Sequence, residues 1–250
     1  MPPSRREKQY AATSEEIKVV ARRLMAERGT AGLSLREIAR VMEMTAPALY
    51  HYFPNRDALI TALIADTFNA LADALEQARG TAEGAPAAEQ LMAVILAYRA
   101  WALEHPTDFQ LIYGNPIPSY VAPREITVPA VVRGFAVFVA LLTAALARGE
   151  LVPRAPYRDV PPRLAPHLAE IAARDGYAGP LLALYLGVVA WPRIHGILML
   201  ELFEHIQPVV GDIDAFFRIQ MENLLEEIGM RVERRATSDE RPTTNDERRA

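Results

Sequence analysis

The 250-residue sequence predicts an all-α protein. Apolar residues recur at helical spacing along nearly the whole chain, and no segment alternates apolar and polar residues over the length of a strand. Apolar residues make up 51% of the chain, which is enough to bury a large core. We therefore expect a small N-terminal three-helix domain followed by a C-terminal helical bundle.

Each of the first four predicted helices is preceded by a residue that can cap a helix. These residues are Thr13 and Ser34, each with a glutamate three positions later that would complete a capping box, and Thr45 and Asn55. The four helices are predicted at about 14–27, 35–42, 46–53 and 55–78. Pro47 falls in the first turn of the third helix, where its missing N–H costs nothing.

The remainder of the chain is predicted to contain six more helices, separated by proline-rich and small-residue loops. They are expected at about 87–104, 106–113, 126–148, 163–174, 178–206 and 212–230. The predicted organisation is a flexible arm (1–12), a small N-terminal domain (13–60), a larger C-terminal domain (61–230) and a polar, disordered tail (231–250).

Charge is distributed unevenly along the chain. The net charge is -4, but residues 1–60 carry ten Lys+Arg against seven Asp+Glu, so the N-terminal part is basic and the remainder is acidic. This pattern is typical of a small DNA-reading domain attached to a larger body. The absence of cysteine excludes disulfides and thiolate metal sites, and with the charged first ten residues it predicts a cytoplasmic protein.

Two segments, 128–147 and 181–200, are apolar enough to suggest membrane helices. Arg133 lies within the first, and Pro192 and Arg193 lie within the second. A buried arginine at mid-bilayer costs about 2.5 to 3.5 kcal/mol even on a lenient scale. We therefore expect buried helices of a core or dimer interface and no membrane partner.

The second and third helices, with a three-residue turn between them, have the spacing of a helix-turn-helix over residues 34–53. In this motif the second helix enters the major groove. The run Ala46-Pro47-Ala48 offers no bidentate donor to a base, so phosphate contacts and DNA shape are expected to dominate. The candidate DNA-contacting residues are Ser34, Arg36, Thr45, Ala46, Pro47, Ala48, Tyr50, His51, Tyr52 and Arg56.

The segment LSLREIARVMEMTAPALYHYFPNRDAL resembles the DNA-binding domain of the tetracycline-repressor (TetR) family, through Leu49, Tyr50, Phe53 and Arg56. The resemblance implies a homodimer that binds a palindromic DNA operator as a repressor and is released by a small ligand. Glu43 stands in the turn where the family usually has glycine, which would cost about 1 kcal/mol in a left-handed conformation. The alternative is a helical ligand-binding or adaptor protein without DNA readout.

The stretch Trp191 to Gly196 resembles the Trp-x-x-x-His-Gly signature of a C-terminal subclass called the WHG domain. Aromatic residues in the middle helices could line a pocket for a small hydrophobic effector, although each could equally pack the core. The candidate pocket residues are Phe68, Tyr98, Trp101, Phe109, Tyr113, Phe135 and Phe138. The candidate dimerisation residues are Leu184, Val188, Trp191, His195, Phe216 and Ile219.

An enzyme is the competing interpretation of this sequence. Phosphate-binding, dinucleotide-binding and nucleophile-elbow motifs are absent from the sequence. Glu201 and His205 are spaced like metal ligands on a helix, but no third ligand accompanies them. We therefore predict a protein that is not an enzyme and that uses no cofactor or metal.

Overall fold

The computed structural model describes residues 3–232, and within that range the regular structure is helical. The α-helices are α1 (Arg5–Arg28), α2 (Leu35–Val41), α3 (Ala46–Tyr52), α4 (Arg56–Thr81), α5 (Ala87–Glu104), α6 (Pro106–Tyr113), α7 (Arg124–Ala147), α8 (Ala165–Arg174), α9 (Leu181–Leu202), α10 (Gln207–Val210) and α11 (Ile213–Ile228). The all-α prediction is thus confirmed. Most of the predicted tail, from residue 233 onward, lies outside the described residues.

The first helix begins nine residues earlier than the sequence predicts. Ser4, rather than Thr13, is its N-cap: the Ser4 hydroxyl accepts a hydrogen bond from the Glu7 amide, and the Glu7 carboxylate accepts one from the Ser4 amide at 2.6 Å. This capping box starts a helix that continues without interruption to Arg28. The expected flexible arm is therefore wrong for residues 5–12, which are helical.

The helix-turn-helix forms as predicted, except that one of its two predicted capping interactions, the one at Ser34, is absent. The Thr45 side chain caps α3 by accepting from the Ala48 amide, whereas Ser34 makes no side-chain capping bond to α2. The predicted Ser34–Glu37 capping box is wrong because the Glu37 carboxylate pairs with Arg28 at the end of α1. The turn between α2 and α3 places Glu43 at φ 54, the left-handed conformation that favours glycine.

A first hydrophobic cluster holds α1 to α4 together. Ile17, Ile38, Leu49 and Leu63 are fully buried in it, which explains the apolar register of these helices. The cluster continues along α4 as far as Phe68 and also takes in Leu111 of α6 and Ala130 of α7. The predicted domain boundary at residue 60 therefore falls inside an unbroken helix.

A second cluster, built mainly from α5, α7, α9 and α11, forms the C-terminal bundle. An ion-pair network joins three of its helices. The Arg99 guanidinium on α5 donates to both carboxylate oxygens of Glu201 on α9, at 2.5 and 2.7 Å, and to Asp214 on α11 at 2.6 Å. Both carboxylate oxygens of Glu201 are thus engaged by Arg99.

Three helices, α4, α7 and α9, are long and apolar enough to cross a membrane by length and composition alone. In this fold the arginines within α7 and α9 have acidic partners. On α7, Arg133 donates to Asp73 and Glu76 of α4 at 2.6 and 2.5 Å, and on α9, Arg193 donates to Glu227 at 2.7 Å. The end of α9 falls at Leu202, since Glu204 adopts φ 58.

Candidate nucleic-acid interface and effector pocket

The outer face of α3 carries most of the predicted DNA-contacting side chains. Thr45, Pro47, Ala48, Tyr50 and His51 are exposed on it, while Leu49 between them is fully buried and anchors the helix. Small side chains at the start of this helix let its backbone approach a duplex closely. Among the other candidates, Arg36 on α2 is exposed, whereas Ser34 and Ala46 are half-buried.

Tyr52 faces the protein rather than solvent. Its ring stacks on Tyr10 of α1, with ring centroids 4.7 Å apart and planes 25° apart. The Tyr10 ring also meets the edge of His51 at 5.7 Å. Sequence reasoning missed Tyr10 because the residue lies in the segment that was expected to be a flexible arm.

Arg56 makes internal hydrogen bonds instead of standing free for a phosphate. Its Nε donates to the Leu33 carbonyl and its guanidinium donates to the Thr30 carbonyl, both at 3.1 Å. Those carbonyls belong to the connection between α1 and α2, so Arg56 ties the start of α4 to that connection. Two of the Arg56 nitrogens are therefore engaged within the protein, and a phosphate contact by this residue stays a prediction.

In the C-terminal bundle, His195 of α9 lies inside a group of aromatic rings. The Tyr98 hydroxyl is 2.9 Å from Nδ1 of His195. The His195 ring stacks on Trp191, with ring centroids 4.9 Å apart, and lies 4.8 Å from Tyr113 and 5.6 Å from Phe109. We call these five residues the aromatic cluster.

Burial sets the protonation of the aromatic cluster. Desolvation lowers the pKa of His195, so the imidazole is neutral at pH 7. Burial raises the pKa of Tyr113 to about 12 and raises that of Tyr98 further, so both phenols remain protonated. The cluster is therefore an uncharged set of hydrogen-bonding groups within an apolar interior.

A small apolar cavity of about 20 Å³ lies beside the aromatic cluster, between α5, α7, α9 and α11. This space holds at most a single water molecule. Phe135 packs across α9 at Gly187, where an added Cβ would lie 3.0 Å from the Phe135 ring. A larger molecule could enter only if side chains such as Phe135 moved.

The predicted pocket residues divide into three groups. Tyr98, Phe135 and Phe138 line the cavity, and Phe109 and Tyr113 lie beside it in the aromatic cluster. Trp101 is buried but packs near His105, away from the cavity, so its assignment to the pocket wall is wrong. Phe68 belongs to the N-terminal hydrophobic cluster and is likewise wrong as a pocket residue.

The predicted dimerisation residues also divide. Val188 and Ile219 are 43% and 52% exposed, as an interface of α9 and α11 requires. Leu184 is buried within its own chain. Trp191 and His195 are half-buried and pack in the aromatic cluster, and their assignment to a dimer interface stays a prediction.

Comparison with known proteins identifies the family. Residues 17–63 match the family described as bacterial regulatory proteins, tetR family, and residues 91–224 match the tetracyclin repressor-like C-terminal domain. The chain is 32% identical over 190 residues to the HTH-type transcriptional regulators Rv1816 of Mycobacterium tuberculosis and Mb1846 of Mycobacterium bovis, covering 75% of this chain and 80% of each relative. The chain belongs to the TetR family.

Solved structures agree with this assignment. The regulatory protein SCO4313 matches with a TM-score of 0.72 and 34% identity, over 89% of this chain and 100% of that one. A tetR-family regulatory protein from Rhodococcus RHA1 shares the fold at a TM-score of 0.61 and 16% identity, over 88% and 98% of the two chains. This TetR-family protein is thus a DNA-binding transcription regulator of the helix-turn-helix type. Its resemblance to the WHG subclass is not confirmed.

In this TetR-family regulator, α6 contacts both halves of the molecule. Phe109 and Tyr113 of α6 belong to the aromatic cluster. The neighbouring Asp108 carboxylate accepts a 2.9 Å hydrogen bond from Arg22 of α1 and a 3.4 Å bond from Thr67 of α4. A movement of the aromatic cluster would therefore reach the DNA-binding domain through one short helix.

Proposed function

We propose that this regulator is a homodimeric repressor in the cytoplasm, that it binds a palindromic operator through α3, and that a small apolar molecule releases it. The observation that carries the proposal is the exposed face of α3, presented by a buried Leu49 and a Thr45 cap. Two such helices in a dimer would read two half-sites one helical turn apart.

The release step is supported by the position of α6. A molecule that enlarged the cavity would displace rings of the aromatic cluster. Two of these rings, Phe109 and Tyr113, belong to α6. The Asp108–Arg22 bond joins the same helix to α1. The effector would bind the state with a displaced α6 more tightly than the state with α6 in its present position. This difference in affinity would change the spacing of the two DNA-binding domains in the dimer.

A matched pair of substitutions tests DNA binding. Ala48→Asp places a carboxylate on the exposed face of α3, while Ala100→Asp makes the same change at an exposed position of α5. Because a carboxylate is repelled by phosphate, Ala48→Asp should abolish the mobility shift of the promoter DNA beside the protein's own gene. Ala100→Asp should bind like the wild type.

The outcome against the proposal is equally definite. If the wild-type protein shifts no promoter fragment at low salt, or if both variants bind equally, α3 does not read DNA. In the first case the protein would be an adaptor that keeps the fold, and in the second case it would bind DNA through a surface other than α3. Apolar candidate effectors added to the wild-type complex test release, and a repressor predicts loss of the shifted band together with raised transcription.

A further inference from the structure

Tyr10 is the contact between the beginning of α1 and the recognition helix α3. Its ring stacks on Tyr52 at 4.7 Å and meets the edge of His51 at 5.7 Å. Its hydroxyl lies 3.4 Å from the carbonyl oxygen of His51 and 3.5 Å from that of Tyr52. All of these contacts are made to the last turn of α3.

The last turn of α3 has few other restraints. The helix is seven residues long, and only Leu49 of its residues is buried. An isolated helix of two turns is unstable in water, so its orientation depends on packing. Leu49 fixes the middle of the helix, and the Tyr10 ring holds its end together with Phe53, the buried residue that follows it.

The rigid start of α1 makes this contact possible. The Ser4–Glu7 capping box holds the first turn in helical form, so Tyr10 is presented from a formed helix rather than from a mobile arm. Arg6 lies one turn before Tyr10 on the same face of α1 and is exposed. Within residues 3–232, Arg6 has no ion-pair partner, so its charge is available to a phosphate.

From these contacts, and on the basis of the proposed DNA-binding function, we propose that Tyr10 is a positioning residue for operator recognition. It orients the end of α3 through Tyr52, and Arg6, on the same face of α1, contacts the DNA backbone beside it. Tyr10 itself contacts the recognition helix and reads no base.

The test compares three substitutions at Tyr10 in the full-length protein, on the promoter DNA that the wild type binds. Tyr10→Ala removes the ring and should weaken operator binding three- to tenfold, the range expected for the loss of one aromatic pair. Tyr10→Phe keeps the stacked ring and should bind within twofold of the wild type. Tyr10→Leu keeps the bulk without the flat ring and should fall between them.

A second measurement separates positioning from a merely structural role. The slope of log affinity against log salt concentration measures the steepness of the salt dependence. Arg6→Ala should reduce this slope by about one for each bound protomer. Arg23→Ala removes the same charge from an exposed position of α1 about four turns away from Tyr10 and should leave that steepness unchanged. In the Tyr10→Ala background, Arg6→Ala should have a smaller effect than in the wild type.

The results that overturn the inference differ from those that overturn DNA binding. Wild-type binding with an unchanged Tyr10→Ala affinity would refute the role of Tyr10 while leaving the regulator intact. An equal loss for Tyr10→Phe and Tyr10→Ala would refute the stacking argument. The binding defect of Tyr10→Ala could also disappear well below the melting temperature of the variant, while the effect of Arg6→Ala on the salt dependence stays unchanged. That result would assign Tyr10 to stability alone.

Discussion

At the scale of single residues, Arg56 shows how a surface arginine can be structural. Arg56→Ala removes two hydrogen bonds to main-chain carbonyls and should lower the free energy of unfolding by about 2 kcal/mol. Arg56→Lys should not restore this stability, because an ammonium cannot reproduce the two-pronged geometry of a guanidinium. Urea unfolding measures both changes.

The salt dependence of operator binding provides the control for Arg56. If the Arg56 side chain is occupied by the Thr30 and Leu33 carbonyls, its removal should leave the slope of log affinity against log salt concentration unchanged, even where the affinity falls. A slope reduced by about one for each protomer would instead show that Arg56 binds a phosphate in the complex.

His195 should make the protein sensitive to acid. Burial lowers its pKa below the ordinary value of 6.5, which is the value expected in the unfolded chain. The unfolded state therefore binds the proton more readily, and the stability present above pH 6.5 is lost as the pH falls through the folded pKa. Urea midpoints at pH 7.5 and pH 5.0 should differ less in His195→Asn than in the wild type. His205→Asn, at an exposed position, should keep the wild-type difference.

At the scale of helices, Arg99 and Glu201 join α5 to α9 in the interior. The Glu201 side chain is 4% exposed, and Arg99 also packs over the Phe217 ring at 4.9 Å. Glu201→Gln should cost about 3 kcal/mol, because it leaves a largely buried guanidinium with only Asp214 as an acidic partner among the described residues.

A double replacement distinguishes charge imbalance from lost packing. Arg99→Met with Glu201→Met removes both charges and should recover most of the stability lost in Glu201→Gln. Chemical denaturation of both variants provides the measurement. If the double variant is less stable than Glu201→Gln, the pair contributes attraction beyond its desolvation cost, and our estimate for the network is wrong.

At the scale of the whole molecule, the exposed apolar residues of α9 and α11 give a test of dimerisation. Val188→Arg with Ile219→Arg should raise the dimer dissociation constant at least tenfold, since both side chains are exposed in the single chain. Operator affinity should fall with it, because two half-sites require two recognition helices. Sedimentation analysis measures the first effect.

The matched control is Leu103→Arg, at a position of α5 that is 42% exposed. This variant should remain dimeric with unchanged operator affinity. If the Val188 and Ile219 variant also remains dimeric, the α9 and α11 surface is not the interface, and the dimer must form elsewhere.

The sequence alone determined the local features of this regulator. Apolar spacing placed the helices, and Thr45, Asn55 and Pro54 marked the boundaries of the recognition helix and its successor, because caps and breakers act within one turn. The left-handed turn at Glu43 was also anticipated. The family assignment followed from the same short segment.

Tertiary structure decided which side chains meet. Tyr10 contacts the recognition helix because His51 and Tyr52, which lie 41 and 42 positions further along the chain, fold onto it. His195 turned inward because Tyr98, which is 97 residues away in sequence, offers a hydrogen-bond partner inside the bundle. Arg56 is held by carbonyls of a distant connection. Such pairings depend on the three-dimensional packing of separate helices, which the spacing of residues within any one helix does not contain.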